Sequence, residues 1–235
     1  MELYDLEWNI RISSNALATI IIKKMNSAEL LPLTEDLLKL NKYLSTEIQV
    51  FQVLLQHNPC ETVAWIKLAK ATLAKIILFN KRRGGEPGKM TLKQYANTPD
   101  WQRESTQELQ ESLTTVEKHL AKNLKLVQVV GKRGRVVPVL LTNEVVSSIN
   151  VLISTRVTSG VSSNNEYVFA RPYNESLENL RGHDAIREMV VNAKLESPES
   201  ITSTKLRKYL ATVSQIFNLQ ENEMDWLARH LGHDI

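Results

Sequence analysis

The chain has 235 residues, of which 43% are hydrophobic and 23% are charged, a composition typical of a globular protein with a hydrophobic core. Its single cysteine, Cys60, excludes an internal disulfide framework and a cysteine-based metal site, and fits a reducing compartment. No apolar stretch approaches the length of a membrane span, and the first residues do not resemble a signal peptide. The net charge of +3 decides little, but basic residues cluster at Lys81–Arg83 and Lys132–Arg135.

The first part of the chain predicts two long helices. Residues 1–30 show no complete domain pattern and are expected to be an incomplete segment or a linker. After a cap at Thr34, apolar residues recur at three- and four-residue steps over Leu37–Leu55, which predicts an amphipathic helix. A second helix is expected over Glu61–Asn80, and the polar, glycine-rich stretch KRRGGEPGK follows it.

The rest of the chain predicts a hairpin and several further helices. A helix is expected within residues 100–120. Two β-rich runs, LKLVQVV and VVPVLL, flank a short loop that contains glycine and therefore predict an antiparallel hairpin. Thr142 is expected to cap the next helix, and Tyr167–Phe169 to form a short strand. Helices are expected at about 179–195, 203–217 and 220–230. The elements together predict a mainly α fold with a small antiparallel β-sheet (α+β).

The most specific motif lies in the last part of the chain. Residues Thr204–Thr212 have the sequence TKLRKYLAT, and Leu231–His233 have the sequence LGH. These segments resemble the tyrosine recombinase (phage integrase) family, in which a helix opens with His-x-x-Arg, often continues with Ala-Thr, and is followed by Leu-Gly-His. Arg207 matches the motif arginine and His233 matches the last histidine. Thr204 departs from the pattern, because the family has a histidine there.

Two further features of the family occur in the expected order. The family has an arginine in an Arg-x-x-Glu setting, and Arg83–Glu86 fits it, although the adjacent Arg82 is an alternative match. The family also has a lysine in the turn of a β-hairpin, and Gly131-Lys132 followed by Val137-Pro138 matches that feature. The resemblance spans about residues 31–235 and implies a catalytic domain of the tyrosine recombinase type.

The resemblance also implies a chemistry, the transfer of a DNA phosphoryl group to a tyrosine hydroxyl. Arginine forks suit the non-bridging oxygens, a hairpin lysine can protonate the leaving oxygen, and a histidine can donate a hydrogen bond or move a proton. The catalytic residues implied are Arg83, Lys132, Arg207 and His233. The residues expected to contact DNA are Lys81, Arg82, Arg133, Arg135, Thr204 and Lys205. No cofactor and no metal ion are expected.

The implied partner is duplex DNA, and the implied family activity is the recombination or integration of a mobile element. The sequence looks closest to transposon-derived recombinase-like proteins of animal genomes. That likeness implies a nuclear location in a eukaryotic host and a cytoplasmic one otherwise, with assembly as a homo-oligomer on DNA and no membrane association.

The expected activity of the chain itself is limited. The nucleophilic tyrosine of the family lies beyond Leu-Gly-His, where this sequence has only Asp234 and Ile235, so the chain as it stands is expected to form no covalent link to DNA. Tyr209 is expected to pack in the core rather than to act as nucleophile. One alternative is a catalytically dead DNA-binding or protein-interaction module derived from a mobile element. The other is an unrelated helical regulatory domain in which the matches arise by chance.

Overall fold

The computed structural model describes residues 34–98, 122–131, 134–173 and 175–216, with only the backbone given for 211–216. Within these residues the protein is mainly helical with one two-stranded antiparallel sheet, which confirms the coarse fold class expected from the sequence. No helix in this part of the chain is long and apolar enough to cross a membrane. The segment 1–30 and the helices predicted within 100–120 and at 220–230 lie outside the described residues.

Most described elements lie close to their predicted positions. In chain order they are α1 (Thr34–His57), α2 (Thr62–Asn80), α3 (Gly85–Gly88), α4 (Leu92–Ala96), β1 (Leu124–Val130), β2 (Val136–Thr142), α5 (Asn143–Thr155), α6 (Gly182–Asn192), a 3-10 helix (Pro198–Ser200) and α7 (Ser203–Ile216). The predicted cap of α5 is confirmed, since the Thr142 hydroxyl accepts from Val145 N at 3.5 Å.

One predicted element is absent, and two short helices were not predicted. The strand predicted at Tyr167–Phe169 is absent, because Tyr167 makes only a single bridge to Thr91 and the next bridge joins Ala170 to Asn179. The polar, glycine-rich stretch after α2, for which no element was predicted, contains the short helix α3, and α4 follows it. A capping box explains α4, because Thr91 Oγ1 accepts from Gln94 N at 3.1 Å while Thr91 N donates to Gln94 Oε1 at 3.0 Å.

The central element of the domain is α2. Its apolar residues occur on nearly every face, and Trp65, Leu73 and Ile77 are among those fully or almost fully buried. A helix that is hydrophobic all round must be covered on all sides, and α2 packs against α1, α5, α6, α7 and β2. Because these elements surround α2, they also fix the position of its C-terminal end.

The hairpin is tied to that end of α2. β1 and β2 pair in register from Leu124 with Thr142 to Val130 with Val136, and their inward valines are buried. Asn80, the last residue of α2, donates from Nδ2 to Leu140 O at 2.8 Å and accepts from Leu140 N at 2.9 Å. This pair of bonds fixes β2 against the helix end from which the candidate site is built.

Candidate functional site

The candidate site begins where the chain leaves α2. Lys81 ends the helix with φ of 50°, in the left-handed region that residues with a side chain rarely adopt. Its backbone N–H still donates to Ile77 O at 2.9 Å. The segment that follows, Arg82–Gly88, carries two arginines and one glutamate and is called the arginine turn below.

Arg82 points into the protein and is only 1% exposed. Its Nη1 donates to Pro138 O of β2 at 2.5 Å, and its Nε lies 3.6 Å from Glu86 Oε2. Burial lowers the pKa of the guanidinium, the charge of Glu86 raises it, and the charges of Arg207 and Arg83 lower it. The predicted contact of Arg82 with DNA does not fit this burial. Its bonds instead hold β2 next to the arginine turn.

Arg83 approaches the same carboxylate from the accessible side. Its Nη1 lies 3.5 Å from Glu86 Oε1, and 43% of its side chain is exposed, against 8% for Glu86. Glu86 therefore directs one carboxylate oxygen toward each of the two adjacent arginines. The sequence left open whether Arg82 or Arg83 matches the first arginine of the family. Of the two, Arg83 is the one that a ligand can reach.

A third arginine comes to this carboxylate from α7, which packs against α2. Burial lowers the pKa of Arg207, the charge of Arg83 lowers it further, and the charge of Glu86 raises it. The guanidinium groups of Arg83 and Arg207 are therefore close enough for their charges to interact. Two arginines that are distant in the sequence thus lie within electrostatic range of one another and of one buried carboxylate.

Lys81 makes a second contact between the end of α2 and α7. Its Nζ lies 6.0 Å from the centroid of the Tyr209 ring, within the range of a cation–π interaction. Burial lowers the pKa of the Lys81 amine. Tyr209 was expected to pack in the core, but it is half-buried and its ring lies near this lysine instead. Lys81 was expected to contact DNA, and its amine faces α7.

The turn of the hairpin starts next to Glu86. A Cβ built on Gly131 would lie 3.6 Å from Glu86 Oε1, so the backbone at Gly131 passes close to the carboxylate. Gly131 N donates to Arg135 O at 2.7 Å, and Arg135 is exposed. Lys132 is bonded directly to Gly131. The base of the hairpin turn therefore lies at the same carboxylate as Arg83 and Arg207.

The other predicted residues lie around α7 or outside the described part of the chain. Thr204 is exposed at the second residue of α7, one helical turn before Arg207. Lys205 Nζ donates to Glu199 O at 3.0 Å. The predicted residues outside the described ranges are Lys132, Arg133 and His233.

Glu86 was not among the residues predicted from the sequence, although the Arg-x-x-Glu spacing contained the signal. Glu86 pairs with Arg82 and Arg83, and its charge also raises the pKa of Arg207, so one carboxylate acts on all three arginines. A buried carboxylate is stabilised when arginines pair with it. The same ion pairs fix the positions of the arginines. Such fixed guanidiniums can bind an anion with oxygens in a plane, such as a phosphate.

Comparison with known proteins finds no family model, no curated protein and no solved structure that matches this chain. Among the described residues, no group of three or more His, Cys, Asp and Glu side chains is arranged to hold a metal ion. The functional proposal therefore rests on the arrangement of Arg83, Glu86 and Arg207.

Proposed function

We propose that the protein binds duplex DNA and that Arg83 and Arg207 together hold one phosphate group of its backbone. The observation that carries this proposal is the convergence of the two arginines beside the buried Glu86. Like charges at close range repel each other, and the pKa of Arg207 is lowered in part for this reason. An anion that binds between the guanidiniums would relieve that repulsion.

The proposal extends to the fold family. The order of the matched segments along the chain, the hairpin between the two arginines, and the closeness of Arg83 to Arg207 support a catalytic domain of the tyrosine recombinase type. In that case the site derives from DNA strand cleavage and rejoining, and the phosphate it holds is the scissile one. Lys132, at the hairpin turn that begins beside Glu86, is then the candidate proton donor to the leaving oxygen.

A second candidate function is DNA binding without strand cleavage, in a module derived from a mobile element. Thr204 favours it, because the family places a histidine at that position and threonine does not carry a positive charge. The two candidates share the phosphate site and differ in whether a DNA strand is broken. With a nicked suicide substrate, a protein–DNA band on a denaturing gel would show cleavage by a hydroxyl of this chain and refute the second candidate, which predicts that no band forms.

The phosphate site itself is tested by titrating a labelled duplex with the full chain at two salt concentrations. Arg83→Gln and Arg207→Gln each remove one positive charge from the site. Lys67→Gln removes the same charge from α2, roughly 20 Å along the helix from Lys81 at 1.5 Å per residue, where the lysine lies over the Phe51 ring. It therefore serves as the matched control.

The expected result is salt-dependent binding that each arginine variant weakens, with the salt slope reduced by about 1. Lys67→Gln should leave the affinity nearly unchanged. Equal losses for Arg83→Gln and Lys67→Gln would mean that the positive charge acts without a defined site. Binding that is absent at low salt would refute the proposed function altogether.

A further inference from the structure

The arginine turn lies directly against the backbone that leads into α6. A Cβ built on Gly182 would lie 2.0 Å from Gly84 O and 2.6 Å from Gly84 C, closer than a side-chain carbon can come to backbone atoms. In the other direction, a Cβ on Gly84 would lie 3.1 Å from Gly182 C and 3.2 Å from His183 N. Two glycines therefore allow a contact between two backbone segments that larger residues would separate.

The far end of the turn makes a similar contact. A Cβ on Gly88 would lie 2.9 Å from Leu180 O. The short helix α3, which contains this glycine, packs against both α6 and β1. Gly85 differs from its neighbours, because a Cβ there would meet no atom within 4 Å. Gly84 and Gly88 are thus needed for close packing of the arginine turn, whereas Gly85 is not.

We propose that the contact between Gly84 and Gly182 sets the position of Arg83 and Glu86, so that both glycines are positioning residues for the anion site. Gly84 follows Arg83 in the chain, and a shift of its backbone moves the arginine with it. Arg207 is carried by a different element, α7. A displacement at Gly84 therefore alters the distance between the two guanidiniums instead of moving both together.

The inference takes its ligand, a DNA phosphate, from the proposed function, but its geometry comes from the glycine contact alone. Binding by two fixed donors is sensitive to small displacements, because a charge-assisted hydrogen bond depends on the distance and the angle between donor and acceptor. Ala at position 84 requires the facing backbone to move by a few tenths of an ångström. Ala at position 182 requires a much larger movement, because the obstructing atom is a backbone oxygen.

The test compares Gly84→Ala and Gly182→Ala with Gly85→Ala in the full chain. Each variant adds one methyl group to the same small region, and only Gly85→Ala meets no neighbour. Affinity for a labelled duplex is measured at low salt, and the free energy of unfolding is measured in urea. We expect Gly84→Ala to weaken binding by about tenfold, as the loss of one hydrogen bond to a charged group would, while Gly85→Ala leaves it within about twofold. If Gly182→Ala does not fold, the milder Gly84→Ala still decides the question.

A double-mutant cycle separates positioning from general damage to the fold. Gly84→Ala is combined with Arg83→Gln, and the loss of affinity is compared in the two backgrounds. If the glycine acts through Arg83, adding Gly84→Ala to Arg83→Gln should cause no further loss. Full additivity of the two losses would overturn the proposal, because the glycine would then act independently of the arginine.

A measurement without DNA keeps this inference distinct from the proposed function. The Nε–Hε resonances of Arg83 and Arg207, assigned by ¹⁵N NMR, report the surroundings of each guanidinium in the free protein. Gly84→Ala should shift the Arg83 resonance, and Gly85→Ala should not. Should wild-type protein fail to bind DNA while these shifts appear, the proposed function is wrong and the positioning stands. Unchanged resonances in Gly84→Ala would show that the positioning is wrong.

Discussion

Arg83 Nη1 lies 3.5 Å from Oε1 of Glu86, a buried carboxylate whose other oxygen lies 3.6 Å from Arg82 Nε. One carboxylate thus links an arginine that solvent can reach to one that it cannot. Arg207 belongs to the same group, because the charges of Glu86 and Arg83 both act on its pKa. The site is therefore an electrostatic unit in which removing one member changes the surroundings of the others.

The first prediction concerns the stability that Glu86 provides. Glu86→Gln keeps the shape of the side chain but removes its charge, which leaves the buried Arg82 without its ion pair. Breaking a buried pair in this way commonly costs about 3 kcal/mol or more, and we expect a loss of that size in the free energy of unfolding. Glu178→Gln is the control. Glu178 pairs with Arg171 at the surface, so its loss should cost less than about 1 kcal/mol. Equal effects in urea unfolding would contradict the role given to Glu86.

The second prediction separates the two adjacent arginines. Arg82→Met removes the bond to Pro138 O and one partner of Glu86 inside the protein. We expect it to lower the free energy of unfolding by about 3 kcal/mol. Arg83→Met removes a partly exposed group and should lower the free energy of unfolding by less than about 1 kcal/mol. It should nevertheless weaken DNA binding by more than this loss of stability explains. Urea unfolding and duplex titration of both variants check the assignment. Swapped results would make Arg82 the ligand-binding residue.

How far the sequence predicts this arrangement depends on whether the information is local. The helices α1 and α2 and the hairpin follow from periodicity and turn residues within each segment, so they could be predicted. The capping box of Thr91 and Gln94 could also have been predicted, because the Thr-x-x-Gln spacing is local to the sequence. The chain turns at Lys81 with a left-handed backbone just before Arg82 and Arg83, and Lys is not a residue type that marks that conformation, so the direction of the two arginines could not be predicted.

The central role of Glu86 could not be predicted from its neighbours alone. Its surroundings come from Gly131 in the hairpin and from Arg207 in α7, which are distant in the sequence. The resemblance to the recombinase family predicted that the arginines belong to one site. It did not predict why glycine occurs at positions 84 and 182. That reason is steric and appears only when the two backbone segments are in contact.

The third prediction concerns alkaline pH and Tyr95. Burial raises the pKa of the Tyr95 hydroxyl to about 12 from the ordinary value of 10.0, and the hydroxyl donates to Asn150 Oδ1 at 2.9 Å. Between these two pH values the folded protein keeps a proton that the unfolded chain loses. The contribution of Tyr95 to stability is therefore fully present below pH 10 and is lost as pH rises through 12.

The measurement is urea unfolding of wild type and Tyr95→Phe below and above pH 10. At the lower pH the variant should be less stable by about 1 kcal/mol, because it lacks the hydrogen bond to Asn150. At the higher pH the difference should shrink, since only the wild type carries the ionisable hydroxyl. A difference that stays constant across this range would contradict the raised pKa.

The last prediction uses the position at which the sequence departs from the family pattern. Thr204 is exposed and lies three residues before Arg207, so both side chains project from neighbouring points on one face of α7. A histidine placed there would bring a third cationic group, after Arg83 and Arg207, toward the same anion. An exposed histidine has a pKa near 6.5, so Thr204→His should add a positive charge at about pH 5.5 and almost none at about pH 8. We therefore expect the variant to bind duplex DNA several-fold more tightly than wild type at the lower pH only, with a salt slope that is larger by about 1.

Thr204→Gln is the control, because glutamine resembles histidine in size but does not titrate, and its affinity should follow that of wild type at both pH values. A gain of equal size in both variants would point to a neutral contact. No gain in Thr204→His at the lower pH would show that this face of α7 does not meet the DNA backbone, and Arg207 would then need another explanation.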